Sequence, residues 1–264
     1  RSVIYCLLAR KKTISAIEKN HKKSWWKKLF FKKYYYFDSN KHILLNNLEP
    51  LNILNINHEP IQDFPIMSSD IIYKVKNKLS ELNISKFIIY HPSAQYEYKV
   101  YPQHLRDRLL KYLDHLGLSI LVTGSNSKID LKIKKGIPKL NNIHNFIGKT
   151  TLEEYFVLSQ LSLAYIGMDT LNMHIAASQN KRIFAIFGPT NLKMWSPWSN
   201  NIKASAVKDF PLQTYENVTI FQAAFSCVAC GKAGCDNNHG KSECLYVINP
   251  ETIFHEVSNW LKHA

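Results

Sequence analysis

The stretch that decides the fold is YIGMDTLNMHIAASQNKRIFAIFGPTNLKMWSPW, residues 165–198. An apolar run that ends at Met168 predicts a strand, and Asp169 and Thr170 interrupt it with two residue types that favour a helix N-cap. A helical pattern follows at 171–178, and IFAIF predicts a second buried strand that ends in a Gly-Pro turn. Such a unit directs the first N–H groups of its helix outward from the carboxyl end of a strand. That position favours a diphosphate, because unpaired donors and the helix dipole both attract negative charge.

Composition and charge narrow the class of protein. The chain has 264 residues, of which 45% are hydrophobic and 12% aromatic, and this predicts packed cores rather than disorder. The net charge of +14 predicts an anionic partner: nucleic acid, an anionic membrane surface or a phosphorylated substrate. No run approaches the length of a transmembrane helix, and no signal peptide is recognisable. Because the chain opens at Arg1 without a methionine, we expect important residues to lie upstream.

Helical and strand patterns alternate along the chain. An apolar stretch at 2–9 predicts a helix or a strand, and the proline-rich segment 57–67 predicts extended chain. Further helices are predicted at 41–53, ending near the proline, and at 69–82, 103–116 and 151–160, and strands at 86–91, 118–123, 145–148 and 163–168. The alternation predicts an α/β fold with a parallel sheet covered on both faces. We place a domain boundary near residues 80–86, where the regular alternation begins.

Four motifs carry a resemblance to a known family. From His91 the chain has HPSAQYEYKVYPQHLRDRLLKYLDHLGLSILVTGS, and IGKTTLEE, MDTLNMHIAA and FGPTNLKMWSPW follow at 147–154, 168–177 and 187–198. Their order and spacing resemble the second domain of glycosyltransferase family 9, the ADP-heptose:lipopolysaccharide heptosyltransferases. RSVIYCLLARKKTI and KHILLNNLEPLNI resemble the late part of the family's first domain. The resemblance therefore covers nearly the whole chain.

The resemblance implies the GT-B architecture, in which two Rossmann-like domains face each other across a cleft. Residues 1–84 would then be the remainder of the N-terminal, acceptor-side domain, and residues 85–264 the nucleotide-sugar-binding domain. The family's first glycine-containing loop, which carries its proposed catalytic aspartate, has no counterpart here. We therefore expect the general base upstream of Arg1.

The resemblance also implies a donor site made of residues that follow the strands of the second domain: Ser93, Ala94, Lys99, Gly124, Thr150, Asp169, Thr170, Leu171 and His174. Lys99 matches a lysine that faces the donor phosphates, and Thr150 matches a position on the adenine side. Taken singly, Asp169 is more typical of a helix N-cap and His174 of a buried histidine, but their combination with Lys99 and the Gly-Pro-Thr turn favours the donor site. Leu171 departs from the family, which usually has glycine there. Leucine would restrict the backbone and narrow the pocket, so the sugar's identity stays open.

The implied reaction is an inverting displacement. A hydroxyl of a lipopolysaccharide inner-core acceptor attacks the anomeric carbon of ADP-heptose, and ADP leaves. A lysine and helix N–H groups stabilise the leaving diphosphate without a metal, so no catalytic cofactor is expected. The alternatives are a family member with another nucleotide-sugar or acceptor, and a non-catalytic nucleotide-sugar-binding protein. The resemblance implies a cytoplasmic protein, peripheral on the inner membrane of a Gram-negative bacterium.

Four cysteines are clustered in a glycine- and asparagine-rich loop at 227–244. The spacing C-x2-C-x4-C-x8-C brings together Cys227, Cys230, Cys235 and Cys244. Four thiolates at such distances suit a closed tetrahedral zinc site, with His239 as a substitute ligand. Reduced thiols or two disulfides are the other interpretations, although a cytoplasmic location disfavours disulfides.

A basic and aromatic block, HKKSWWKKLFFKKYYYF, occupies residues 21–37. On a helical wheel its tryptophans cluster with the neighbouring leucine and phenylalanine. Lysines beside aromatic residues suit an anionic membrane interface or a phosphorylated, lipid-linked glycan acceptor. A solvated basic segment is the plainer interpretation, and no nucleic-acid-binding module is recognisable. The residues expected at the membrane or acceptor are Lys22, Lys23, Trp25, Trp26, Lys27 and Lys28.

Overall fold

The computed structural model describes residues 2–8, 13–18 and 25–263. The chain divides into two compact units, Arg1–Ile61 and Gln62–Ala264. This division falls earlier than the boundary expected near 80–86. The reason is that the helix at Ser69–Glu81 buries Val75 and Leu79 in the same core cluster as the strand that follows it, and so belongs to the second unit.

The first unit contains α1 Ser2–Leu8, β1 Ile14–Glu18, α2 Lys27–Phe30, β2 Lys33–Phe37 and α3 Ile43–Ile53. Strands β1 and β2 pair in parallel. The side chain of Asn46, fully buried, donates to the carbonyl oxygens of Asp38 and Lys41 and accepts from the Asp38 N–H, which fixes the connection from β2 to α3. Helix α3 continues past Pro50 to Ile53, although the proline cannot donate a hydrogen bond to the helix ladder.

The second unit contains α4 Ser69–Glu81, β3 Phe87–His91, α5 Gln103–Asp114, β4 Ser119–Val122, α6 Lys128–Lys135, β5 Ile143–Asn145, α7 Leu152–Leu161, β6 Ala164–Met168, α8 Leu171–Ser178, β7 Arg182–Ile186, α9 Leu192–Trp195, β8 Leu212–Tyr215, β9 Val218–Phe221, α10 Glu243–Tyr246 and α11 Pro250–Leu261. A single 3₁₀ turn lies at Glu97–Lys99. The strands form one seven-stranded sheet in the order β5-β4-β3-β6-β7-β9-β8, in which only the β8–β9 pair is antiparallel. The expected α/β fold with a parallel sheet is therefore confirmed.

The centre of this sheet is buried on both faces. Every residue of β3 and of β6 is buried, which explains why these strands are continuous apolar runs rather than alternating ones. After β3 the chain adds β4 and β5 on one side of it and then crosses to add β6 on its other side. The direction of strand addition therefore reverses between β3 and β6. In open parallel sheets ligands bind at the carboxyl ends of strands at such a switch point.

The predicted strands and helices on either side of the switch point agree with the structure to within a few residues. The sequence patterns did not reveal α6, the β8–β9 hairpin or α11. Helix α6 escaped because KIDLKIKK combines only two turns with five charged residues. The block at 21–37 is not one helix: α2 has four residues, and a strand follows it.

Candidate functional site

A cavity of about 570 Å³ lies at the switch point, between the carboxyl ends of β3 and β6. We call it the switch-point cavity. Eight of the nine residues predicted for a donor site line it: Ser93, Ala94, Lys99, Gly124, Thr150, Asp169, Thr170 and Leu171. They reach one place because each follows a strand of the same parallel sheet or the loop after it.

A lysine and an aspartate form the charged centre of this cavity. The Lys99 Nζ lies 3.9 Å from the Asp169 Oδ2, and their side chains are 28% and 11% exposed. The 3₁₀ turn at Glu97–Lys99 brings the lysine over the strand ends. Burial raises the pKa of Asp169, while the charge of Lys99 and a hydrogen bond from Thr190 oppose that rise. The ammonium group is therefore held at the cavity and remains accessible to an anion.

Helix α8 begins at the cavity without a side-chain cap. Thr170 occupies the N-cap position, yet its hydroxyl makes no capping hydrogen bond. The first N–H groups of a helix have no partner within the helix, so those of Leu171 and Asn172 are suited to bind an anion. Close packing of the strands beneath fixes this position: a Cβ added at Gly167 would lie 2.4 Å from the carbonyl oxygen of His91.

His174 does not join the cavity. Its ring lies on α8 against the indole of Trp195, with ring centroids 6.3 Å apart. Burial lowers its pKa from 6.5 to about 4, so the imidazole is neutral near pH 7. Lys99 and Thr170 therefore line one cavity, and His174 is not among the residues that line it.

His91, a buried histidine that was not among the predicted site residues, also lines the switch-point cavity. The His91 Nδ1 is 3.0 Å from the Thr123 Oγ1 and 3.2 Å from the Asn172 Nδ2, so it joins β3, the end of β4 and α8. Burial outweighs the attraction of Asp130 and lowers the pKa of His91 from 6.5 to about 4. The sequence feature that could have identified His91 as a cavity residue is its position as the first residue of the HPSA motif.

A second overlooked group is the carboxylate of Asp130, which also lines the cavity. Its Oδ2 accepts hydrogen bonds from the Ser125 N–H and from the hydroxyls of Ser125 and Ser127. Its Oδ1 is buried without a partner. These bonds compensate part of its negative charge, which lets a carboxylate stay in a cavity suited to anions.

The cysteine loop has no metal-binding geometry. The four cysteines line one small void, and all are free thiols. Burial raises the pKa of Cys244 to about 11, and the other three sulfurs add to that rise. Among the residues that the structure describes, no group of three or more His, Cys, Asp or Glu side chains is arranged to hold a metal ion, so the expected structural zinc is not supported.

The basic and aromatic block lies in the first unit. Lys22 and Lys23 lie outside the described residues. Trp25 is 65% exposed, but the Lys27 Nζ donates to the carbonyl oxygen of Ala16 at 2.9 Å and is used within the unit. Lys28 lies over two tyrosine rings of β2. Within the described ranges, no helix is long and apolar enough to cross a membrane.

A largely parallel sheet whose switch point carries an uncapped helix N-terminus and a lysine is typical of α/β domains that bind nucleotides. The sequence makes the assignment finer, because residues 48–224 match the profile of glycosyltransferase family 9 (heptosyltransferase). The chain belongs to this family, as its motifs predicted.

Among curated proteins, the chain is 26% identical over 169 residues to lipopolysaccharide heptosyltransferase 3 of Escherichia coli (strain K12), which covers 61% of this chain and 48% of that protein. The chain thus spans about half the length of the curated relatives it matches. Among solved structures, E. coli ADP-heptose lps heptosyltransferase II has a TM-score of 0.70 at 16% identity, covering 100% of this chain and 74% of the other. A family 9 glycosyl transferase from Veillonella parvula has a TM-score of 0.72 at 15% identity, covering 98% and 70%. Both structures share the fold, of the GT-B type.

Proposed function

We propose that this protein transfers a heptose from ADP-heptose to an inner-core sugar of lipopolysaccharide, and that the second unit holds the donor. Family membership supports glycosyl transfer, and a structure of the same fold is described as an ADP-heptose lps heptosyltransferase. The acceptor hydroxyl attacks the anomeric carbon as the bond to the diphosphate breaks, which inverts the configuration. ADP leaves with the bonding electron pair, and the hydroxyl proton passes to a base.

The observation that carries this proposal is the pairing of Lys99 with the uncapped N-terminus of α8 at the switch point. Negative charge grows on the diphosphate as the glycosidic bond breaks. A preorganised ammonium group and helix N–H groups stabilise that charge more in the transition state than in the ground state. Asp169, next to Lys99, is suited to accept hydrogen bonds from sugar hydroxyls.

The test is a transfer assay with the full-length protein, ADP-heptose and a purified inner-core acceptor, followed by mass spectrometry of the acceptor. We expect the acceptor to gain one heptose residue for each ADP released. Lys99→Met should lower the rate roughly 10- to 100-fold, the range for losing a charge-assisted contact to a developing anion. ADP release without acceptor modification would indicate hydrolysis, and donor binding without turnover would favour the non-catalytic alternative.

We further propose that the first unit contacts an anionic membrane surface, on the cytoplasmic side of the inner membrane, where a lipid-linked acceptor would lie. The supporting observations are the net charge of +14 and the exposed side chains of Trp25, Leu29 and Phe30.

The protein should sediment with vesicles that contain anionic lipid and not with neutral ones. Substituting Trp25→Ala with Trp26→Ala should weaken binding about fivefold, which corresponds to withdrawing about 40 Å² of apolar surface. Tyr73→Ala, an exposed aromatic of the second unit, is the control; equal binding to both vesicle types contradicts the proposal.

A further inference from the structure

We propose that the second unit has another binding site, for a phosphorylated sugar, in a cavity of about 390 Å³ that borders the first turn of α5. We call it the flanking cavity. Its walls come from segments that are distant in sequence, 97–106, 129–133 and 239–246. The volume falls in the range of small-molecule sites and leaves room for a sugar ring beside a phosphoryl group.

The charge of this cavity favours an anion. Its wall carries Arg106, Lys132 and Lys241, and each cation has a carboxylate partner; the Lys241 Nζ lies 3.1 Å from the Glu243 Oε1, and both of these side chains are exposed. The guanidinium of Arg106 is buried and is oriented by Asp107, whose Oδ1 lies 2.8 Å from its Nη2. The pair between Lys132 and Glu97 is 3.4 Å long and exposed, so a phosphoryl group can compete for this lysine.

Two further donors border the same cavity. Ser242 lies between this cavity and the small void of the cysteine loop, is only 2% exposed, and has a hydroxyl oxygen that is buried without a hydrogen bond. Helix α5 begins beside it at Pro102 and Gln103 with no side-chain cap. A buried hydroxyl without a partner is unfavourable unless a ligand or water supplies the missing bond. An anion at this point would accept from the hydroxyl and from the helix N-terminus together.

The remaining wall suits a sugar ring. Tyr98 and His239 pack with ring centroids 5.5 Å apart, and the Lys241 Nζ lies 3.8 Å from the ring centroid of Tyr246. The ring faces that these contacts leave uncovered are suited to pack against the apolar face of a pyranose, while the amide of Gln103 is available for its hydroxyls. Inorganic phosphate alone would leave these aromatic walls without a contact, which is why we assign the larger ligand.

Calorimetric titration of the full chain with glucose 6-phosphate, glucose and inorganic phosphate tests the proposal. We expect saturable binding of glucose 6-phosphate, at least about tenfold tighter than either of the other two. Lys132→Ala and Lys241→Ala should each weaken it roughly three- to tenfold. Lys135→Ala, which removes the same charge from α6 outside the cavity, should leave it unchanged. Excess ADP should not compete.

A second variant separates binding from folding. Ser242→Ala should weaken glucose 6-phosphate binding severalfold without lowering the melting temperature, because the hydroxyl has no partner in the protein. Absence of saturable binding up to about 10 mM, equal weakening by Lys135→Ala, or displacement by ADP would overturn the proposal. Equal affinity for inorganic phosphate and for glucose 6-phosphate would show that the cavity binds phosphate without recognising a sugar.

Discussion

The two cavities of the second unit offer positive charge in different ways. In the switch-point cavity one lysine, Lys99, stands against the carboxylates of Asp130 and Asp169, and the uncapped N-terminus of α8 adds backbone donors. In the flanking cavity each of the three cationic side chains has a carboxylate partner, and the two lysine pairs are exposed. The first arrangement selects an anion by buried, fixed geometry, whereas the second relies partly on exposed lysines whose attraction salt screens. Fixed donors are what transition-state stabilisation requires, and mobile surface charges suffice for binding.

The largest expected effect is on the pH dependence of stability, and it tests whether His91 is buried in the switch-point cavity. Because the folded pKa of His91 is about 4 against 6.5 when unfolded, the unfolded chain binds more protons in this window. Stability should therefore fall as pH drops from 7 to 4.5, and His91 should contribute about 2.5 kcal/mol to that fall. Urea unfolding at both pH values should show a smaller fall for His91→Asn.

The control for that experiment is His115→Asn, which removes an exposed histidine of the same unit and should follow the wild-type pH dependence. If His91→Asn keeps the full pH dependence, the cavity floor is open to water, and the contrast between a buried and an exposed cavity fails.

The next effect separates the two cavities by ligand. Lys99→Met should weaken ADP binding by about 2 kcal/mol, roughly 30-fold, because a charge-assisted contact to the diphosphate is lost. Calorimetry should show the affinity for glucose 6-phosphate unchanged. Lys139→Met, an exposed lysine outside both cavities, controls for the loss of net charge. Equal weakening by both substitutions would mean that net charge, and not the placement of Lys99, attracts ADP.

The smallest effect concerns the rim of the switch-point cavity. Leu171 is the first residue of α8, is 59% exposed and lines the cavity. Leu171→Gly should change the free energy of unfolding by less than about 1 kcal/mol, since glycine costs little at a helix end. ADP affinity should stay the same, and the preference for ADP-heptose over ADP-glucose should decrease about threefold as the rim widens. An unchanged preference would remove Leu171 from sugar selection.

Eight residues predicted for a donor site line the switch-point cavity because its walls are local in sequence. Strand ends such as Met168 are followed directly by the polar residues that line the cavity, here Asp169 and Thr170. His174 is not among the residues that line this cavity; one helical turn decides whether a side chain faces the cavity or packs behind it, and the His174 ring lies against Trp195. That choice depends on tertiary packing, which no spacing of residues reveals.

The flanking cavity could not be predicted in this way. Gln103 and Ser242 are separated in sequence by six further strands of the sheet, so no motif joins them. The cysteine spacing predicted proximity correctly but not a metal site. Cys227 and Cys244 do line one void, yet the cysteines lack the geometry of a metal site. Spacing along the chain constrains proximity, and ligand geometry needs side-chain directions as well.

The most direct measurement is a crystal structure of the full chain with ADP bound. Our account predicts the terminal phosphate of ADP at the switch point, with oxygen atoms about 2.7–3.2 Å from the Lys99 Nζ and from a backbone nitrogen of Leu171 or Asn172. ADP bound in the flanking cavity, or at the switch point with its diphosphate directed away from Lys99 and the N-terminus of α8, would contradict it.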